Sequence, residues 1–266
     1  MTAVRQLPVT VIVPCHDDQD TIENALDSIA QQTQPPVEVI VVDDASTDST
    51  PAVLERCEAR RWPFRLRTVR LPANRGPGEA RNVGWSLVDE SRRYVAFLDA
   101  DDGWLPEKLE RQVTWMECHP DVAWTSHRCS VPGANAGTSP RRPDIRVMPI
   151  TRRGLLSRNA VATPTVLARN SVRGRFRGGW RHCEDLMLWL DWLHDGARGA
   201  MLDETWAALG RRPGSKGGAT GDLAAMYRGE IRVIRTLVAE CRMSSLEAAA
   251  WRVYAWLRYL RRRTRR

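Results

Sequence analysis

The sequence predicts an α/β fold: a Rossmann-like, mostly parallel central sheet with helices on both faces, followed by C-terminal helices. Three observations predict it. Short β-branched runs alternate with stretches of helical periodicity through residues 8–120. The run at 9–13 is almost continuously apolar, as in a strand covered on both faces. Their spacing suits right-handed strand–helix–strand crossovers, which build parallel sheets.

The elements follow in order. Residues 9–13, between Pro8 and Pro14, read as the first strand. Asp20-Thr-Ile-Glu23 has the form of a capping box and opens a helix with Ile22, Leu26 and Ile29 on one face, stopped by Pro35-Pro36. Residues 37–42 form a second strand ending in Asp43-Asp44, and Thr50-Pro51 opens a helix carrying Val53, Leu54 and Cys57. A third strand over 65–71, a helix over 78–88, a fourth strand over 94–98 and a helix over 106–116 complete the first half. Residues 132–143 and 210–221 are rich in glycine, proline and small polar residues and read as loops. A strand is expected over 163–168 and a helix over 184–194, with Leu186, Leu190 and Leu193 at helical spacing and Gly196 as its stop. Ser244-Ser-Leu-Glu247 is a second capping box, starting a helix whose Leu246, Ala250, Val253, Leu257 and Leu260 share one face.

With 42% apolar and 27% charged residues, the chain has enough apolar material for a sizeable core. Its six cysteines include no C-x-x-C pair, which argues against a zinc knuckle or a disulfide framework. The first eight residues lack the apolar run of a leader, and no window approaches the roughly 18 apolar residues of a membrane span, so a cytoplasmic location is expected. The net charge of +8 comes from the end of the chain: residues 251–266 hold seven of the 40 basic residues and none of the 32 acidic ones. That composition suits either a helix lying on an anionic membrane, placing the protein at the inner membrane face, or a packed helix with a solvated basic end. No nucleic-acid motif accompanies it.

Asp99, Asp101 and Asp102 follow directly on the apolar residues 95–98. Two carboxylates one residue apart at a strand end are hard oxygen ligands placed for Mg²⁺ or Mn²⁺, which need only one or two protein carboxylates when phosphates supply further oxygens. Ligands of parallel sheets bind beyond the carboxyl ends of the strands, where Asp43-Asp44 also falls. A nucleotide diphosphate is the ligand this placement suits. Without a cation, three acids so close raise one another's proton affinity. The competing reading is an acidic loop in which Asp102 caps the 106–116 helix.

Val11-Ile-Val-Pro14, Val41-Val-Asp-Asp-Ala-Ser-Thr-Asp48, Asn74-Arg-Gly-Pro-Gly-Glu-Ala-Arg-Asn-Val-Gly84 and Phe97-Leu-Asp-Ala-Asp-Asp-Gly-Trp104 resemble, in register, the successive signatures of glycosyltransferase family 2. The resemblance covers residues 8 to about 120 and continues more weakly to about 215. It implies a GT-A type fold and a role for each matching residue. Asp44 would accept the imide hydrogen of a uridine nucleotide, with the backbone near Pro14 and His16 lining base and ribose. Asp99 and Asp101 would be the D-x-D pair that holds a divalent cation, Asp101 the firmer ligand. Arg81 and Asn82 would lie beneath the nucleotide. The catalytic base would be the aspartate of a Glu-Asp pair opening a helix, which makes it Asp185 in Cys183-Glu-Asp-Leu186; otherwise Glu184 and Asp185 only complement the helix dipole. One segment departs from the family pattern: Leu209-Gly-Arg-Arg-Pro-Gly-Ser215 lacks the usual aromatic and histidine, leaving Arg211 or Arg212 to face the diphosphate.

The resemblance implies inverting, metal-dependent transfer of a single sugar from a nucleotide-diphosphate donor, a UDP-sugar as first choice, to an acceptor hydroxyl. The acceptor stays open among a glycan, a lipid-linked saccharide, a natural product and a protein. The catalytic domain would span residues 1–221, with a nucleotide-binding half to about 120 and an acceptor-side half beyond it; residues 222–266 would form a helical extension with its basic tail. Trp180, Trp189 and Trp192 flank the candidate base and suit either sugar stacking or core packing. Two rival readings remain: a phosphatase of the haloacid-dehalogenase type with Asp99 as nucleophile, and a non-catalytic nucleotide-sugar-binding or membrane-surface adaptor.

Overall fold

The computed structural model describes residues 6–132, 145–211 and 221–264. Strands and helices alternate as expected: β1 (Leu7–Cys15), α1 (Ile22–Ala30), β2 (Pro36–Asp43), α2 (Thr50–Ala59), β3 (Arg65–Arg70), α3 (Pro77–Ser86) and β4 (Tyr94–Phe97). β5 (Gly103–Trp104), α4 (Lys108–Cys118), β6 (Trp124–Ser130), β7 (Val147–Pro149), α5 (Arg152–Ser157), β8 (Leu167–Arg169), α6 (Glu184–His194), β9 (Gly199–Ala208), α7 (Leu223–Ala239) and α8 (Ser245–Arg263) follow. The sheet runs β3-β2-β1-β4-β8-β6-β9-β5, with β7 paired to β9. β3, β2, β1 and β4 are parallel. β8 is antiparallel to its neighbours β4 and β6, whereas β6 and β9 are parallel to each other.

The period of two along a strand divides the core. Val9, Val11 and Val13 of β1 pack with Ile22, Leu26 and Ile29 of α1 and with Leu109, Val113 and Met116 of α4. Ile12 points the other way, into a cluster with Trp85, Phe97, Trp124, Trp189 and Trp192, which Val233, Ile234 and Leu237 of α7 extend. Burying each such aliphatic side chain is worth about 1.5–3 kcal/mol. Trp124 stacks on Trp189 at 5.4 Å between ring centroids, and Trp85 meets Trp192 edge-on at 6.0 Å. Trp189 and Trp192 are therefore core, which corrects the sugar-stacking alternative for those two.

Three sequence expectations change on folding. The Asp20–Glu23 box does not form: α1 begins at Ile22, and the amides of Thr21 and Ile22 already donate to the Asp18 carbonyl at 3.0 Å each. Asp102 does not cap α4; its Oδ1 accepts from Gly210 N at 2.9 Å, 108 residues away in sequence. The Ser244 box does form, with Glu247 N donating to Ser244 Oγ at 3.2 Å, but the apolar stripe of α8 turns outward instead of packing. Residues 133–143 and 212–220, and with them Arg212, lie outside the described residues.

Gly84 sets how closely α3 approaches the sheet, since a Cβ there would meet Ile12 Cγ2 at 2.6 Å. Helix propensity favours alanine at this site by about 1 kcal/mol. Overpacking a β-branched core neighbour costs about 1–3 kcal/mol. Packing should win, so Gly84→Ala is expected to lower stability in a urea titration; a gain would show that α3 can shift off β1.

Candidate active site

The carboxyl ends of β1, β2 and β4 lie along one edge of the sheet, and each carries acids: Asp17 and Asp18, Asp43 and Asp44, then Asp99, Asp101 and Asp102. The start of α6 meets the same region with Glu184 and Asp185, since Arg81 reaches both Asp99 and Glu184. Left-handed backbone at non-glycine residues marks three of these turns: Asp17 (φ 56°), Ala45 (φ 59°) and Cys183 (φ 59°). Such conformations are strained, and they persist where the surroundings hold the chain for another purpose.

The first two turns brace each other. Asp17 Oδ1 accepts from Thr47 N at 2.7 Å, Asp17 N donates to Ser46 Oγ at 3.0 Å, and Asp43 Oδ1 accepts from Ser46 N at 2.8 Å. Asp44 is 2% exposed, and its two oxygens accept from Arg75 N at 2.8 Å and Gly76 N at 2.7 Å. Asp44 thus ties the end of β2 to the turn before α3. Its expected partner, a uracil imide, would have to reach a carboxylate already engaged by two amides. Pro14 is buried in β1, while His16 is exposed at the rim, its amide donating to Asp18 Oδ2 at 2.9 Å.

Arg81 lies beneath this rim, fully enclosed. Its guanidinium bonds Asp99 Oδ1, approaches Glu184 Oε1 at 3.5 Å and sits 5.3 Å from the centre of the Phe176 ring. Burial would weaken its hold on the proton, but Asp99 and Glu184 outweigh it and keep the group firmly charged. One buried cation therefore links the D-x-D turn to the Glu184-Asp185 pair. Asn82 secures the approach, donating to Phe176 O at 2.7 Å and accepting from Phe176 N at 3.0 Å. Its role is to clamp the chain leading to α6.

Burial, then the charge of Asp185, raises Glu184 to about 7. Asp185 is raised too, chiefly by burial, against the hydrogen bond from Asn159 Nδ2 at 3.0 Å and the Leu186 amide. A helix N-terminus favours a carboxylate by only about 0.3–1 kcal/mol, which is less than one pKa unit. The dipole therefore does not explain the pair; its effect is overridden.

The D-x-D turn is equally crowded. Asp101 is raised by burial and then by Asp99, and Asp102 is raised to about 8 by the same two causes. Asp18, which sequence reasoning missed, is raised by burial and couples to Asp101 and Asp99. Arg211 Nε lies 3.3 Å from Asp101 Oδ2, and a Cβ on Gly210 would collide with the Asp101 carbonyl, so residues 210–211 lie directly on the turn. Among the described residues no group of three His, Cys, Asp or Glu side chains is gathered as a ready metal cage. The donor set instead suits a hard cation that takes one or two carboxylates and fills its shell with water and phosphate. Asp99 and Asp101 each face an arginine through one oxygen, Arg81 and Arg211 respectively. Trp104 packs behind the turn as the rigid floor: it is buried, Nε1 donates to Pro164 O at 2.8 Å, and Lys108 Nζ stands 3.7 Å from the ring centre.

The sequence profile described as Glycosyl transferase family 2 matches residues 10–172. The chain belongs to this family. Over 108 residues it is 42% identical to TuaG of Bacillus subtilis, a putative teichuronic acid biosynthesis glycosyltransferase, the match covering 41% of either chain. It is 29% identical over 191 residues to WfgD of Escherichia coli, named a UDP-Glc:α-D-GlcNAc-diphosphoundecaprenol β-1,3-glucosyltransferase, covering 70% of either chain. The match to ExoO of Rhizobium meliloti spans only 30% of that relative's length. The structure of Staphylococcus aureus TarS 1-349 with UDP-GlcNAc superposes with a TM-score of 0.69 at 22% identity, over 91% of this chain and 69% of that one. The mannosyltransferase PcManGT from Pyrobaculum calidifontis, solved with GDP-Man and Mn²⁺, gives 0.66 at 21% identity, over 89% and 66%. At those identities the likeness is one of fold, and it is the GT-A fold the motifs imply. The family profile ends before Asp185, so the match does not reach the base candidate.

Removing the Arg81 charge leaves buried Glu184 and half-buried Asp99 without a counter-ion. Arg81→Met is expected to lose about 3–5 kcal/mol of stability, as in other broken buried pairs. Neutralising both partners in the same chain (Asp99→Asn, Glu184→Gln) should return part of that loss in a denaturation cycle; purely additive losses would contradict the linkage.

Proposed function

We propose that the chain is an inverting glycosyltransferase that moves a single sugar from a nucleoside-diphosphate donor, a UDP-sugar as first choice, to an acceptor hydroxyl. The observation that carries this reading is the Arg81 link, which joins Asp99 of the D-x-D pair to Glu184 of the Glu184-Asp185 pair. The names of the relatives support the donor choice: WfgD is described with UDP-Glc and TarS with UDP-GlcNAc. PcManGT, described with GDP-Man, keeps a guanosine donor in the test. An acceptor built on a lipid-linked saccharide is favoured, because WfgD is named for a diphosphoundecaprenol-linked one. The phosphatase reading is not carried forward, since Asp99 is paired with Arg81 and the chain belongs to a transferase family.

In the mechanism, Asp185 accepts the proton of the acceptor hydroxyl as its oxygen attacks the anomeric carbon. The bond from that carbon to the diphosphate breaks on the opposite face, and the configuration inverts. Asn159 positions the carboxylate, and burial makes Asp185 a stronger base than a solvated aspartate. Asp101, with Asp99, would hold Mn²⁺ or Mg²⁺, whose charge would offset that of the leaving diphosphate. Arg211 lies close enough to Asp101 to share that task. Asp44 shapes the Arg75–Gly76 turn that floors the nucleotide.

A thermal-shift screen of UDP, GDP, TDP and CDP with and without Mn²⁺ tests the donor, because a ligand of the folded state raises apparent stability. UDP is expected to stabilise only with the cation, and Asp101→Ala to abolish the shift; indifference to all four nucleotides would overturn the reading. Asp185→Asn should keep the nucleotide shift and slow transfer by about 10²–10⁴-fold, the span of general-base effects. A cation held at Asp101 takes the ionised carboxylate and favours ionisation of neighbouring Asp102. Because Asp102 sits near 8, Mn²⁺-dependent stabilisation should strengthen as pH rises toward that value, and Asp102→Asn should flatten the rise.

A further inference from the structure

Helix α8 is built with its apolar side outward. The side that meets the body carries Ala248 and Ala255, both buried, and Arg258, which pairs with Glu230 at 2.6 Å and donates to Ser157 O at 2.6 Å. On the opposite side Leu246 is 84% exposed, Val253 57% and Leu257 53%, and Trp256 beside them is 49% exposed. At 100° per residue these align with Ala250 in one stripe along the helix. Arg261 flanks the stripe on one side and Arg252 and Arg263 on the other, all exposed. No acidic residue follows Glu247. Exposed apolar stripes of this extent mark a surface that something covers.

The charge chooses the occupant. A second copy of the chain would set one arginine-flanked stripe against another, with like charges facing. An anionic bilayer accepts both features at once: the stripe enters the boundary between headgroups and acyl chains, the arginines meet lipid phosphates, and Trp256 suits the interface. Among the described residues no helix is long and apolar enough to cross a membrane, so contact through α8 would be peripheral.

The docking face also has a defined relation to the chemistry. Tyr254 Oη and Arg258 Nη1 both donate to Ser157 O, at the end of α5, and two residues later Asn159 holds Asp185. Two residues span at most about 7 Å. We infer that α8 docks with its outer face on an anionic membrane surface and so presents the acceptor side of the cleft, at Asn159 and Asp185, to an acceptor carried in that membrane. The docking stands on α8 alone; the orientation rests on the transferase reading.

Co-sedimentation of the full chain with phosphatidylcholine vesicles, with and without phosphatidylglycerol, tests it. Binding is expected only with phosphatidylglycerol and should weaken at high salt. Arg261→Gln with Arg263→Gln should weaken it roughly 30-fold, given the contribution of each basic residue near an anionic surface. Trp256→Ser with Leu257→Ser should remove it while leaving the melting temperature and the nucleotide-induced shift unchanged, because both side chains are exposed. Equal binding to neutral vesicles, no binding to either, or a dimer in solution that the Trp256/Leu257 variant dissociates would each overturn the proposal. Asp185→Asn should bind vesicles like the parent, so that a failure of the transferase chemistry and a failure of docking are read separately.

Discussion

A single buried guanidinium organises the site. Arg81 comes from α3, Asp99 from the turn after β4 and Glu184 from the start of α6, so one cation joins three elements that are distant in sequence. Burying an ion unpaired costs several kcal/mol, and the cost is met only when its partners are held in place. Asn82 and Phe176 supply that restraint, and Gly78 lets α3 approach, since a Cβ there would meet Glu184 and Phe176 at 3.2 Å. The consequence for chemistry is a fixed relation between the carboxylates that would hold a cation and the carboxylate that would take a proton.

Around that cation the site keeps more negative charge than it neutralises. Asp18, Asp101, Asp102, Glu184 and Asp185 all hold protons more tightly than free carboxylates, with burial as the first cause in each. Such an arrangement is costly in the empty protein and is relieved by a ligand that brings positive charge or donates hydrogen bonds. Strained turns at Asp17 and Ala45 follow the same logic, because cross-braces between the two loops hold shapes that local preference resists.

The first half was legible because its signals are local. Continuous β-branched runs, proline punctuation and acids at strand ends each act within a few residues, and β1 to β4 lie within about two residues of their expected places. Beyond it the helices at 184–194 and after Ser244 were equally local, but the short and interrupted strands were not. β8 has three residues and β5 two, too short to show any period, and both take their place from antiparallel pairing with partners far along the chain. β9, at ten residues, escaped notice because buried Glu204 interrupts its apolar face. Asn159 carried no signal of its own; it matters only because folding brings it to Asp185.

By itself the sequence determined the α/β class, the family, the acids at the strand ends and the amphipathic character of the last helix, because each is written in residue order and spacing. Tertiary structure alone decided which acids are engaged and which face is covered. Asp44 spends both oxygens on the amides of residues 75 and 76, Asp102 turns to Gly210 instead of capping α4, and α8 packs through Ala248, Ala255 and Arg258 with its leucines outward. Those outcomes depend on competition between partners that meet only in three dimensions, where a buried ion pair or a main-chain amide can outweigh local pattern.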